Sequence, residues 1–67
     1  MTTIQLDGRP HDVPDHSTLA ALVAALGHAP NAVGTAVDGV FVPRGQRVEL
    51  MLREGVAVLL FQPIVGG

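Results

Sequence analysis

The N-terminal part of the chain has the residue pattern of a β-hairpin. Residues 2–6 alternate between polar and apolar side chains, which predicts a strand with one buried face. The dipeptide Asp7-Gly8 follows and favours a tight turn, because both residues tolerate a positive φ. Residues 9–13 are then expected to return antiparallel, with Pro10 at a sheet edge because it has no N–H to donate.

An amphipathic helix is predicted for the run STLAALVAALG. Its larger apolar side chains recur at the spacing of one helical face. They are Leu19, Leu22, Val23 and Leu26. Ser17 or Thr18 can cap the first turn, and Gly27 suits the left-handed residue that ends a helix. The remaining helix surface is alanine rather than charged residues, so we expect it to be well covered or to lie near a partner.

After the helix, the pattern predicts a second and shorter hairpin. Residues 35–38 and 40–42 have the composition of short strands, and the turn between them is again an Asp-Gly dipeptide, Asp38-Gly39. Pro43 is expected to end the second of these strands.

Residues 45–53 allow two interpretations. Val48, Leu50 and Leu52 alternate with polar residues as in a strand, whereas residues 50–53 alone would fit a 3₁₀ turn. The sequence leaves both open.

The run VAVLLFQ, residues 56–62, predicts the last strand, because it is β-branched and aromatic and lies between Gly and Pro. Apolar side chains occupy both of its faces as far as Phe61, which predicts a central strand that is covered on both sides. If instead only Val58 and Leu60 face the helix, Leu59 and Phe61 point outward and form an apolar docking patch.

The order of these elements predicts an α+β fold of the β-grasp (ubiquitin-like) type. One helix must pack across one face of a mixed sheet of four to five strands, because only the sheet offers its apolar stripe a partner. A last strand parallel to the first would pair with it at the centre of the sheet. We assign residues 1–62 to this single domain and residues 63–67 to a flexible, extended C-terminal tail.

Composition narrows the classes of function. The chain has 67 residues, 48% of them hydrophobic, and a net charge of −2, which fits one small domain. It has no cysteine, so it forms neither disulfides nor thiolate metal sites. It has no lysine, and its four arginines form no basic stripe, so no nucleic-acid partner is expected.

Neither a membrane nor a metal role is expected from the sequence. No apolar run approaches the roughly 20 residues that cross a bilayer, and the N-terminus lacks the pattern of a signal peptide. We therefore expect a soluble, cytoplasmic protein. The three histidines, His11, His16 and His28, are not spaced as a compact metal site, so we expect no bound metal.

The last two residues, Gly66 and Gly67, suggest a chemical role for the C-terminus. Residues without a Cβ can enter a slot that is too narrow for any other residue. A carboxylate is a poor electrophile, but coupling to AMP turns it into a mixed anhydride with a good leaving group. The sequence contains no phosphate-binding loop, so any ATP would be bound by an activating enzyme. The alternative is that two glycines end the chain by chance.

The segments VDGVFVPR and EGVAVLLFQPIVGG resemble the sulfur carrier family of thiamine biosynthesis, the ThiS family. The resemblance covers nearly the whole chain, and the Gly-Gly end is its specific part. It implies a protein co-substrate rather than an enzyme. An E1-like adenylyltransferase would use ATP and Mg²⁺ to activate the Gly67 carboxylate, with Gly66 as its narrow flank. A cysteine desulfurase or another persulfide donor would supply sulfur to form a thiocarboxylate, which thiazole synthase would consume.

An exposed apolar pair beside a reacting tail would form a docking surface for partner enzymes, and an arginine could contact an acidic partner. The residues expected to contact partner enzymes are Leu59, Phe61, Pro63, Ile64, Val65 and Arg44. The chain departs from the family pattern at Asp38, at Arg47 and at the run Glu54-Gly55-Val56. These departures leave the chemistry of the tail intact and bear on which partner enzyme the surface fits.

Other functions share the same tail. The carrier could serve molybdopterin or cysteine synthesis instead of thiazole formation. The chain could also be a ubiquitin-like modifier that joins Gly67 to a target lysine, or a small interaction module whose tail is inert.

Overall fold

The computed structural model describes residues 1–29 and 31–62, which form a five-stranded sheet and one α-helix. The strands are Thr2–Leu6 (β1), Arg9–Val13 (β2), Gly34–Val37 (β3), Val40–Val42 (β4) and Ala57–Phe61 (β5). Helix α1 spans Leu19–Ala25, and a 3₁₀ helix spans Arg44–Glu49. The strand order is β2-β1-β5-β3-β4, in which β1 and β5 pair in parallel and the other neighbouring strands pair antiparallel. The mixed sheet with a central last strand confirms the predicted arrangement.

The two Asp-Gly turns do more than reverse the chain. Asp7 and Asp38 both have φ 51°, and the glycine after each has φ 81° and 83°, so both turns have the backbone that suits two-residue hairpins. The Asp7 carboxylate accepts a hydrogen bond from the Leu60 N–H at 3.1 Å, and the Asp38 carboxylate accepts one from the Ala57 N–H at 3.1 Å. Each hairpin is therefore tied to the central strand by its own turn.

Helix α1 is capped by Thr18 and not by Ser17. The Thr18 hydroxyl accepts a hydrogen bond from the Ala21 N–H at 3.2 Å, whereas the Ser17 hydroxyl donates to the Pro14 carbonyl at 2.6 Å. Gly27, at φ 83°, follows the helix as predicted. No helix in the described part of the chain is long and apolar enough to cross a membrane.

The core lies between α1 and one face of the sheet. It contains apolar side chains from the helix, four strands and the segment after the 3₁₀ helix. Its buried members are Ile4, Val13, Leu19, Leu22, Val42, Leu52 and Val58. The predicted apolar stripe of the helix is confirmed, and Leu26 packs only partly against this core.

Strand β5 is central, but the prediction that both of its faces are covered is wrong. Val58 is fully buried against the helix side, while Leu59 and Phe61 on the other face are 49% and 43% exposed. In the described structure only one layer covers the sheet, so alternate residues of β5 face solvent. Apolar residues on both faces of a strand here indicate an exposed apolar surface rather than a second layer.

The segment that the sequence left open matches neither interpretation. The 3₁₀ helix Arg44–Glu49 comes first, and an extended piece follows it. In that piece, Leu50 accepts a hydrogen bond from the Leu19 N–H at 2.9 Å, and the Leu52 N–H donates to the Ser17 carbonyl at 2.8 Å. The segment therefore pairs with the start of α1 instead of extending the sheet.

Arg47 is buried, although arginine is mostly exposed in folded proteins. Its side chain is 4% exposed. Its Nε donates to the Thr35 hydroxyl at 3.0 Å and its Nη2 to the Val33 carbonyl at 2.6 Å. The Thr35 hydroxyl in turn donates to the Val42 carbonyl at 2.9 Å. Burial lowers the pKa of Arg47, and the nearby charge of Arg44 lowers this pKa further.

The two edge strands differ in how they end the sheet. On one side, β2 places Pro10 opposite Gln5 of β1, so an amide donor is missing from this edge. On the other side, β4 contains only three residues, Val40–Val42. Both features shorten the run of unpaired backbone groups at the sheet edges.

Candidate functional site

The predicted reacting residues lie beyond the described residues. Gly66 and Gly67, the predicted contact residues Pro63, Ile64 and Val65, and the predicted flexible tail 63–67 as a whole are all in this part of the chain. The structure describes β5 and Gln62, from which this part continues. The described part of the candidate site is therefore the surface around the end of β5.

An apolar patch covers the outer face of the sheet next to the end of β5. We call Phe41, Leu59 and Phe61 the outer patch. All three are large apolar residues with 61%, 49% and 43% of their surface exposed. Ala36 pairs with both Leu59 and Phe41, so all of these residues lie on one face. The Phe41 and Phe61 rings have their centroids 6.3 Å apart at an interplanar angle of 43°.

The outward orientation of Leu59 and Phe61 confirms the second of the two interpretations of β5. Phe41 was not predicted to be a site residue. Its position was nevertheless readable, because the Asp38-Gly39 turn fixes the register that places Phe41 opposite Ala36.

Gly34 lies directly beneath the ring of Phe61. The two residues are partners in the β3–β5 register. A Cβ atom on Gly34 would come closer than 3.0 Å to three ring atoms of Phe61, namely Cδ2, Cε2 and Cζ. No role was predicted for Gly34, because a glycine at the start of a strand does not indicate which side chain from the neighbouring strand covers it.

An open cleft of about 380 Å³ lies beside the end of β5. Asp7, His28, Phe61 and Gln62 are among its lining residues. The Asp7 carboxylate in this cleft already accepts the hydrogen bond from Leu60. Among residues 1–29 and 31–62, no group of three or more His, Asp or Glu side chains could hold a metal ion.

Arg44 lies apart from the outer patch. It is exposed at the start of the 3₁₀ helix and lines a small cavity together with Ala20, Val23 and Ala24 of α1. This places it on the helix side of the sheet. Its predicted contact with a partner stays a prediction, and it cannot share one flat surface with Leu59 and Phe61.

Comparison with solved structures supports the fold. The chain is similar to the crystal structure of a thiamine biosynthesis protein (ThiS) from Geobacter metallireducens, at 22% identity and a TM-score of 0.85. The alignment covers 98% of this chain and 100% of that chain. The NMR solution structure of a thiamine biosynthesis protein from Geobacter metallireducens gives a TM-score of 0.78 at 22% identity, with 98% of this chain and 88% of that chain covered.

The sequence comparisons add the family. A search of curated proteins gave no match. The sequence profile of the ThiS family, however, matches residues 2–67, which includes the two terminal glycines as well as the whole sheet. The chain therefore belongs to the ThiS family.

Proposed function

We propose that this chain is a sulfur carrier for thiazole formation in thiamine biosynthesis, acting as a protein co-substrate and not as an enzyme. One observation carries this proposal: the family match extends over residues 2–67 and so includes the Gly66-Gly67 end. The likeness to a thiamine biosynthesis protein over its full length supports the same pathway.

The proposed chemistry takes place at the C-terminal carboxylate of Gly67. A carboxylate oxygen attacks the α-phosphorus of ATP, pyrophosphate leaves, and Gly67 becomes an acyl adenylate. A persulfide sulfur then attacks the acyl carbon and displaces AMP, which leaves an acyl disulfide between Gly67 and the sulfur donor. A cysteine thiol of a sulfur-transfer enzyme attacks the donor's sulfur in this bond, forms a disulfide with it, and releases Gly67 as a thiocarboxylate. Glycine at both last positions keeps the attack unhindered, because neither residue has a Cβ.

Other proteins supply the catalytic groups for these steps. An E1-like adenylyltransferase holds ATP and Mg²⁺, and a cysteine desulfurase or another persulfide donor provides the sulfur. Thiazole synthase consumes the thiocarboxylate. We place the carrier in the cytoplasm, where the activating enzyme finds ATP.

We propose that the outer patch docks on the adenylyltransferase. Two observations support this partner. The patch is apolar and exposed on an otherwise well-formed sheet, which is typical of an interaction surface. Leu59 and Phe61 of the patch also lie on β5, the strand from which the chain continues to Gly67, so an enzyme that binds the patch holds the end of that strand. Pro63, Ile64 and Val65 would then contact the channel that leads to its ATP site.

Deletion of Gly67 tests the proposal. The chain is incubated with the adenylyltransferase of the same organism, ATP, Mg²⁺ and sulfide, and its intact mass is measured. We expect the wild-type chain to exchange one oxygen for sulfur and the shortened chain to keep its mass. The thermal unfolding midpoint of both chains is the control, and it should be the same because the deletion leaves the core untouched.

Other outcomes would contradict the proposal. An adduct between Gly67 and another protein in its native cells would indicate a modifier. An unchanged mass of the wild-type chain under the complete reaction conditions would indicate that the tail is inert.

A further inference from the structure

The last β3–β5 pair contains a glycine and an aromatic ring in close contact. Gly34 faces Phe61 across the two strands, at the C-terminal end of β5. Three atoms of the Phe61 ring occupy the space that a Cβ on Gly34 would need. Gly34 is buried even though its partner is 43% exposed, because the ring covers it.

The backbone conformation does not explain the glycine at position 34. The described glycines with positive φ are Gly8, Gly27, Gly39 and Gly55, and Gly34 is not among them. A glycine inside a strand weakens the sheet, because it has no side chain to pack and loses more backbone freedom on folding. The feature that requires a glycine here is therefore the close approach of the Phe61 ring.

We propose that Gly34 is a positioning residue that fixes the Phe61 ring in the docking surface of the carrier. The bare Cα lets the ring lie across β3 and reach Phe41, whose ring centroid is 6.3 Å away. This inference rests on the proposed function, since Phe61 has a partner to meet only if the chain is activated by another enzyme.

Two physical effects follow from this contact between the Phe61 ring and Gly34. A ring that is already held in its bound orientation loses less side-chain entropy when a partner covers it. The contact also keeps Gly34 and Phe61, the last pair of β3 and β5, close together. This pair sets the position of the end of β5, from which the chain continues to Gln62. A side chain at position 34 would lift the ring from β3 or separate the two strands at this point.

Steady-state kinetics of the adenylyltransferase test the proposal, with the carrier as the varied substrate and pyrophosphate release as the readout. The variants are Gly34→Ala, Phe61→Ala and the double variant, and Gly45→Ala is the matched control. Gly45 also lacks a positive φ, and a Cβ there meets nothing within 4 Å. We expect Gly34→Ala to raise KM about tenfold with kcat within about twofold, as for a change in carrier binding alone.

The double variant separates positioning from a general loss of structure. If Gly34 acts only through the ring, the double variant has the KM of Phe61→Ala alone, because the second change has nothing left to displace. Gly45→Ala should keep the wild-type KM. A wild-type KM for Gly34→Ala, or a double variant whose KM is the product of the two single effects, would overturn the proposal.

A second measurement covers the case in which Gly34→Ala does not fold. In the wild-type chain, the Phe61 ring current should shift upfield the NMR resonance of the Gly34 α-proton that points where a Cβ would stand, and Phe61→Leu should remove this shift. An unshifted α-proton resonance would show that the Phe61 ring does not lie over Gly34, and would overturn the proposal. If the wild-type chain supports no pyrophosphate release, the proposed function is wrong, and the positioning role is wrong with it. If the wild-type chain and Gly34→Ala are both activated normally, only the positioning role is wrong.

Discussion

Arg47 has a role in the folded chain that was not predicted from the sequence. Its guanidinium donates to the Val33 carbonyl and to the Thr35 hydroxyl, and so connects the 3₁₀ helix to the start of β3. A buried charge of this kind is tolerated only when its donors are bonded. Sequence reasoning could not find it, because an isolated arginine between two turns has the same pattern whether it is buried or solvated.

We expect Arg47→Met to lower the free energy of unfolding by about 2 kcal/mol, since it leaves the buried Val33 carbonyl without this donor. Urea unfolding gives the value. Arg44→Met is the control, because Arg44 is exposed on the same 3₁₀ helix, and a change within about 0.5 kcal/mol is expected there. Equal losses in both variants would mean that the buried hydrogen bonds of Arg47 do not stabilise the fold.

At the scale of the elements, strong local signals predicted most of the fold. The Asp-Gly turns fixed both hairpins, and the 3.6-residue stripe fixed α1. Two features were beyond this reasoning. Residues 45–53 carry no period long enough to distinguish a strand from a 3₁₀ helix. Two of their backbone hydrogen bonds join Leu50 and Leu52 to Leu19 and Ser17, which are far away in the sequence. The outer face of β5 was undecided, since apolar composition alone does not reveal whether a second layer exists.

The candidate site was predictable only in part, and for a similar reason. The outward pair Leu59 and Phe61 followed from alternation along one strand once the inner face was known. Phe41 could be placed opposite Ala36 from the hairpin turn alone. That Leu59 lies on the other side of Ala36, and that Gly34 faces Phe61, follows only from the pairing of β3 with β5. A reading along the chain contains no such information before the sheet order is known.

The N-terminal cap of α1 permits a direct test at this scale. Thr18→Ala removes the hydroxyl that accepts from Ala21, and we expect a loss of about 1 kcal/mol in the free energy of unfolding. Ser17→Ala is the neighbouring control, because its hydroxyl donates to the Pro14 carbonyl instead of capping the helix. The cap assignment fails if urea unfolding shows the larger loss for Ser17→Ala.

At the scale of the whole molecule, the two faces of the sheet have separate roles. One face and the helix form the core, and the other face carries the outer patch. A polar substitution on the outer face should therefore affect association without affecting stability, because no core contact is removed.

Leu59→Ser is the corresponding variant, and Ala57→Ser is its control on the same face of the same strand. For Leu59→Ser we expect KM of the adenylyltransferase for the carrier to rise about tenfold, which corresponds to about 1.4 kcal/mol of lost binding, with an unchanged unfolding midpoint. Ala57→Ser, farther from the tail, should change neither quantity. A lowered unfolding midpoint with an unchanged KM would assign the outer patch to folding instead of docking.

The edges of the sheet, which have few unpaired backbone groups, explain how an exposed aromatic surface can be tolerated without aggregation. Fibril growth proceeds by adding strands to a long, flat edge whose amides are free. Pro10 interrupts one edge, and the other offers only the three residues of β4. The outer face of the sheet can therefore bind another protein, while the two described sheet edges offer few free amides to an added amyloid strand.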